Sequence, residues 1–132
     1  MTLSIGLGST SFGKELYAYS PRIDFSTGAS GDERIALDFT SPHSHYFCEV
    51  NVSLDTGSWA NNDIIAIIYR ANGQVIYQAK WGVNATTLGQ PITIPVQIIL
   101  PPDTRFKAVL AMSSGTGMIG TGSVILVGRE LG

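Results

Sequence analysis

Residues 63–80 constrain the fold of this chain more than any other stretch. An apolar run through Ile64, Ile65, Ala66, Ile67, Ile68 and Tyr69 leads into Asn72-Gly73, and a second β-rich run leaves through Val75, Ile76 and Tyr77. Asn-Gly between two such runs predicts a two-residue hairpin, because a type I′ turn needs positive φ at both central positions. Alternation puts Ile64, Ala66 and Ile68 on one face of the first strand and Ile65, Ile67 and Tyr69 on the other. Both faces are apolar, so both need cover. We expect one face to line the core. Ile65, Ile67 and Tyr69 are the candidates for a subunit interface. At about 100 Å² and ~25 cal/mol per Å² each, they contribute roughly 7 kcal/mol gross toward self-association. The alternative cover is a second sheet on one side and the N-terminal segment on the other.

The rest of the chain extends the β pattern. Residues 34–39 alternate, and Ser41-Pro42-His43-Ser44 breaks the run. Residues 46–54 set Tyr46, Cys48, Val50, Val52 and Leu54 inward, with Phe47, Glu49, Asn51 and Ser53 outward. Residues 92–100 form another strand. Pro95 there removes a ladder donor and predicts an edge or a bulge. Pro101-Pro102-Asp103 turns the chain, Phe106, Ala108, Leu110 and Met112 point inward, and residues 123–127 close the fold. No stretch carries a 3.6-residue period. The expected class is all-β: an antiparallel, jelly-roll-like β-sandwich over residues 34–132.

Residues 1–33 differ. Glycine, serine and threonine surround scattered apolar residues, and Leu3, Ile5 and Leu7 alternate. Two readings stay open. In one, 1–33 is an extended arm with short strands, and Leu3, Ile5 and Leu7 touch a neighbouring subunit. In the other it is a first strand followed by a long loop.

Charged residues make up only 14% of the 132, against about 25% in an ordinary soluble domain. That composition favours a protein whose surface meets other surfaces. Net charge is −2 with no Lys/Arg cluster, which argues against nucleic acid as a partner. The N-terminus has neither a basic region nor a sustained apolar core, so no signal peptide is expected. No apolar run is long enough to span a membrane as a helix. The single Cys48 reads as a small buried hydrophobe. The Asn84-Ala85-Thr86 sequon reads as a polar loop.

No constellation of catalytic residues stands out. Gly115-Thr-Gly-Met-Ile-Gly120 matches the dinucleotide fingerprint by letter, but that fingerprint must open a helix, and here a short strand follows. His43 and His45 lack an evident third ligand, and a polar loop outweighs a histidine ring on an oligomer axis. Neither a Ser/His/acid triad nor a carboxylate pair is recognisable. No cofactor and no metal is expected, and the protein is read as non-enzymatic. Trp59 and Trp81, in loops, are candidate ligand-stacking aromatics or caps on the core.

The order of these elements carries a resemblance: the strand at 46–54, the Asn72-Gly73 hairpin, the Leu100-Pro-Pro-Asp-Thr104 turn before Phe106, and the closing strand at 122–128. It resembles the trimeric jelly rolls of the tumour necrosis factor and complement globular-head type. It is also similar to small virion proteins of tailed bacteriophages. The lack of a leader tilts the comparison toward the phage group. The resemblance implies a homotrimeric capsid decoration (cement) protein on the virion exterior, made in the host cytoplasm and bound to the major capsid protein or another virion protein. The alternative it implies is a receptor- or glycan-binding module of a tail or fibre.

Overall fold

The computed structural model describes residues 2–5, 9–12, 15–24, 33–55, 64–82, 91–114 and 121–131. Every regular element among them is a strand. In chain order these are β1 (Thr2–Ile5), β2 (Ser9–Phe12), β3 (Glu15–Tyr19), β4 (Ile23–Asp24), β5 (Glu33–Thr40), β6 (Tyr46–Asp55), β7 (Ile64–Ala71), β8 (Gln74–Gly82), β9 (Pro91–Leu100), β10 (Arg105–Ser114) and β11 (Thr121–Glu130).

They form two antiparallel sheets. The larger runs β1-β2-β3-β11-β6-β9, with β4 also against β11, and the smaller runs β5-β10-β7-β8. From β4 onward the chain passes back and forth between the sheets, with the β7–β8 hairpin as the one step that stays within a sheet. This is the winding of a jelly roll, as the pattern of runs and turns predicts. β9 is an edge strand, the place where Pro95 costs no ladder hydrogen bond.

The core lies between the sheets. The larger sheet supplies Leu16, Cys48, Val50, Leu54 and Leu126, and the smaller supplies Leu37, Phe39, Ile65, Ile67, Tyr69 and Phe106. Three aromatic pairs run through it: Phe39–Phe106 at 5.8 Å, Tyr69–Phe106 at 5.7 Å and the stacked Tyr69–Tyr77 at 5.3 Å. The inward set expected on the strand at 46–54 is the set observed.

The facing of β7 is the reverse of the expectation. Ile65, Ile67 and Tyr69 are fully buried in the inter-sheet core and are not available to a second subunit. Ala66 and Ile68 take the outer side, where they pack with Val109 and Ala111 of β10 in a second, smaller cluster. Alternation in a strand apolar on both sides gives the two sets but not which one points in. The bulkier set fills the space between the sheets. Both faces of β7 are thus closed within one chain, and self-association draws no support from this strand.

The segment expected as an arm is not all arm. β3 pairs with β11, and its Leu16 and Ala18 are buried core residues. On β5 a bulge opposite Ala108 and Val109 breaks the simple alternation. Ala36 and Leu37 are both buried, and Ile35 turns out to solvent.

Three turns are tied together at one end of the sandwich. Asn72 and Gly73 have φ of 49° and 83°, as a type I′ turn requires. Asn72 also extends the β10 ladder, its amide donating to Arg105 O at 2.8 Å and its Oδ1 accepting from Arg105 N at 2.9 Å. The buried Ser41 clips the β5–β6 turn to the β9–β10 turn. Its amide donates to Thr104 O (2.8 Å), its hydroxyl donates to Pro101 O (2.6 Å), and Thr104 N donates to Ser41 Oγ (2.9 Å).

Candidate functional site

The outer face of the larger sheet carries most of the exposed large apolar side chains of the described residues. Register places them in rows across the strands. Tyr19 of β3 pairs with Ile125 of β11, which pairs with Asn51 of β6. One step along, Tyr17 pairs with Val127, and Val127 with Glu49. One step further, Glu15 pairs with Arg129, Arg129 with Phe47, and Phe47 with Ile99 of β9. Tyr17, Tyr19, Phe47, Ile99, Ile125 and Val127 are each between 36% and 57% exposed. They occupy the positions where a sandwich places polar residues.

A groove of about 540 Å³ takes lining residues from all three rows, with Tyr17 on one side, Phe47 on the other, and Val127 and Gly128 on the strand between them. Its polar groups are Glu15, Glu49, Asn51 and Arg129. Two are already oriented by neighbours. Tyr17 OH donates to Glu15 Oε2, and Asn51 Nδ2 donates to Glu49 Oε1 at 3.2 Å. The Glu15 bond holds the Tyr17 phenol above its ordinary pKa, with burial adding to the effect. Arg129 has no ion-pair partner within 4.0 Å among the described residues. Tyr17 and Phe47 stand two strands and two residues apart, about 12 Å from Cα to Cα by strand spacing and rise.

The same sheet continues past β3 into the β1–β2 ribbon. β5, the edge strand of the smaller sheet, is the one that approaches β3 and β11. In strand order the larger sheet continues through two strands past β3. Leu3 pairs with Ser11, and Ser11 with Leu16, which places Leu3 and Ile5 at register positions in line with the core-facing side of β3.

The structure distributes the other candidates as follows. Trp81 lies on β8 and packs against the core, half-buried, with its Nε1 buried and without a hydrogen-bond partner among the described residues. Trp59 and Leu7 lie outside the described residues, as do residues 115–120, after which β11 begins at once. His43 stands exposed in a turn with Nδ1 2.6 Å from Asp103 Oδ1. His45 is engaged through its backbone, its carbonyl accepting from Leu131 N at 2.8 Å. Among the described residues no group of three or more His, Cys, Asp or Glu is placed to hold a metal ion. Cys48 is inside, and burial pushes its thiol up to about 12. The groove went unread at the level of sequence. Phe47 was legible as outward-facing, but its relation to Tyr17 and Val127 exists only through the pairing of three strands distant in the chain.

No family model matches the chain, and no curated protein matches it. Solved structures do. A structure of infectious bursal disease virus, Gx strain, aligns with a TM-score of 0.58 at 13% identity over 93% of this chain and 34% of that one. The VP2 subviral particle of the same virus aligns at 0.53 and 12% identity, over 92% of this chain and 34% of that one. A family 35 carbohydrate binding module from an environmental isolate aligns at 0.52 and 16% identity, over 96% of this chain and 85% of that one. At these identities the likeness is one of fold: a jelly-roll-like β-sandwich of a kind found both in a viral particle and in a carbohydrate binding module. The chain spans about a third of the length of the viral chains it matches.

Proposed function

We propose that the chain is a non-enzymatic virion structural protein that docks on a neighbouring subunit through its N-terminal ribbon. The observation that carries this reading is the continuation of the larger sheet into the β1–β2 ribbon at its edge, with Leu3 and Ile5 at register positions in line with the core side. An isolated two-stranded ribbon is marginal in water. A partner surface under it supplies the missing layer. The likeness of fold to a viral particle supports the same direction. In the finer form, the protein is a homotrimeric capsid decoration protein on a phage head. Because it binds the assembled lattice and not free subunits, it raises the cost of disassembly by mass action.

Removal of residues 1–14 tests this. The variant is expected to keep the cooperative unfolding of the sandwich, lose mass by light scattering and no longer sediment with particles carrying the full-length chain. A truncated protein that keeps both its mass and its particle binding overturns the reading.

A further inference from the structure

We infer that the groove on the outer face of the larger sheet is a binding site for a neutral pyranose glycan, one or two sugar units long. The inference does not rest on the N-terminal ribbon, and it requires that this face be free of a second copy. It rests on the kind of surface found there. A pyranose has a face of C–H groups and a rim of hydroxyls, so it needs an aromatic plane and, at its edge, paired donors and acceptors. The groove offers Tyr17 and Phe47 as aromatic walls, both exposed where an inward role would bury them. The electron-rich ring face attracts the weakly positive C–H groups. Beside Tyr17 and Phe47, on the same two strands, Glu15 and Glu49 can accept from hydroxyls, and Arg129 on the strand between can donate to them. Hydrogen bonds with one ionised partner are the stronger class.

Three further features favour a small sugar. The volume, about 540 Å³, falls in the ordinary range for small-molecule sites. The Cα positions of Tyr17 and Phe47, about 12 Å apart, leave a span along the sheet that a one- or two-ring ligand can occupy. The carboxylates are held in place before any ligand arrives, Glu15 by Tyr17 and Glu49 by Asn51, which lowers the ordering cost of binding. Charge then selects among sugars. Glu15 and Glu49 against Arg129 leave the groove net negative, which repels uronic and sialic acids and admits neutral or N-acetylated hexoses.

The test is an NMR titration of the ¹⁵N-labelled full-length protein with maltose, cellobiose, lactose and diacetylchitobiose, with glucuronate as the acidic control. At least one neutral disaccharide is expected to bind at about millimolar Kd, with shifts centred on β3, β6 and β11. Tyr17→Ala and Phe47→Ala should each weaken it about tenfold or more. Both side chains are exposed, so these variants are expected to fold, and unchanged spectra away from the groove verify it. Val75→Ala, an exposed apolar site on β8, should leave affinity unchanged. The inference is overturned by the absence of shifts with every neutral sugar, by shifts centred elsewhere, or by affinity indifferent to Tyr17→Ala and Phe47→Ala. It is overturned equally if light scattering shows a dimer that Phe47→Glu splits, because the face would then be occupied by a second copy.

Discussion

Gly128 provides a sharp test of how this core is built. It sits on β11 between Cys48 of β6 and Leu16 of β3, and both neighbours are fully buried. A Cβ added there would lie 2.7 Å from Cys48 Sγ and 3.6 Å from Leu16 Cβ. The sulfur contact is about 1 Å inside van der Waals distance. β11 is laddered on both sides, so any displacement of it strains its pairs with β3 and β6. Gly128→Ala is therefore an overpacking change, expected to cost about 2–3 kcal/mol. The lower chain entropy of unfolded alanine returns about 0.5 kcal/mol of that. Cys48→Ala alone deletes one heavy atom and should cost about 1 kcal/mol. Together, the new methyl occupies the space the sulfur leaves, so the double variant should lose no more than about 1 kcal/mol. The coupling energy is then about 2 kcal/mol. Urea denaturation followed by far-UV circular dichroism measures all three, with a constant m-value as the condition for comparison. Additive costs, or a Gly128→Ala protein within about 0.5 kcal/mol of the parent, would refute the packing argument.

Other consequences are checked with simpler measurements. The Tyr69 hydroxyl is buried without a hydrogen-bond partner among the described residues, and burial, with Tyr77 beside it, pushes its pKa up. Tyr69→Phe keeps the stacked rings and removes an unpaired polar group, so it should stabilise the fold by about 1 kcal/mol, and a loss of stability in urea would contradict this. Cys48 should resist a thiol reagent such as dithionitrobenzoate in the native state and react fully in urea, because its thiolate is suppressed and the sulfur buried. Rapid stoichiometric labelling of the folded protein would count against that burial. The Arg105 guanidinium grips Asp38 at 2.9 Å through both Nε and Nη2 and holds its carboxyl below the ordinary value. A depressed folded pKa contributes stability above the unfolded value of about 3.9, lost as pH falls through the folded value. Asp38→Asn should therefore lower the urea midpoint modestly at neutral pH, and the gap should close in acid. A gap unchanged at low pH would exclude the ion pair as its cause.

What the sequence revealed follows from where its patterns have contrast. Residues 46–54 alternate apolar with polar, so one phase fits and β6 is as expected. Asn72-Gly73 specifies a backbone conformation, and the positive φ values follow. Residues 64–69 have no contrast between their two sides, so the pattern cannot fix their phase, and the expectation of Ile65, Ile67 and Tyr69 as the outer face is reversed by their bulk. The bulge opposite Ala108 and Val109 moved Leu37 and Ile35 by a step that no local signal marks. The candidate groove was the least legible part. Its residues come from positions 15–17, 47–51 and 127–129, each unremarkable alone, and only the ladder between β3, β11 and β6 brings them together.

That ladder also ties the groove to the core. A one-residue slip of β11 would turn Val127 and Arg129 inward and send Gly128 out. The slip is resisted because position 128 faces Cys48 and Leu16, where there is space for a hydrogen and nothing larger. The residue that fits the core thus sets the phase of the two side chains that line the groove. This predicts different fates for the single variant Gly128→Ala and the double variant that adds Cys48→Ala. With Cys48 kept, the strain is relieved by displacing β11, so sugar-induced shifts at Val127 and Arg129 should weaken along with stability. With Cys48→Ala added, the strand can stay in place, and the shifts should return to those of the parent. If the groove responded identically in both proteins, its geometry would not depend on the packing beneath it, and the link between core and site drawn from Gly128 would fail.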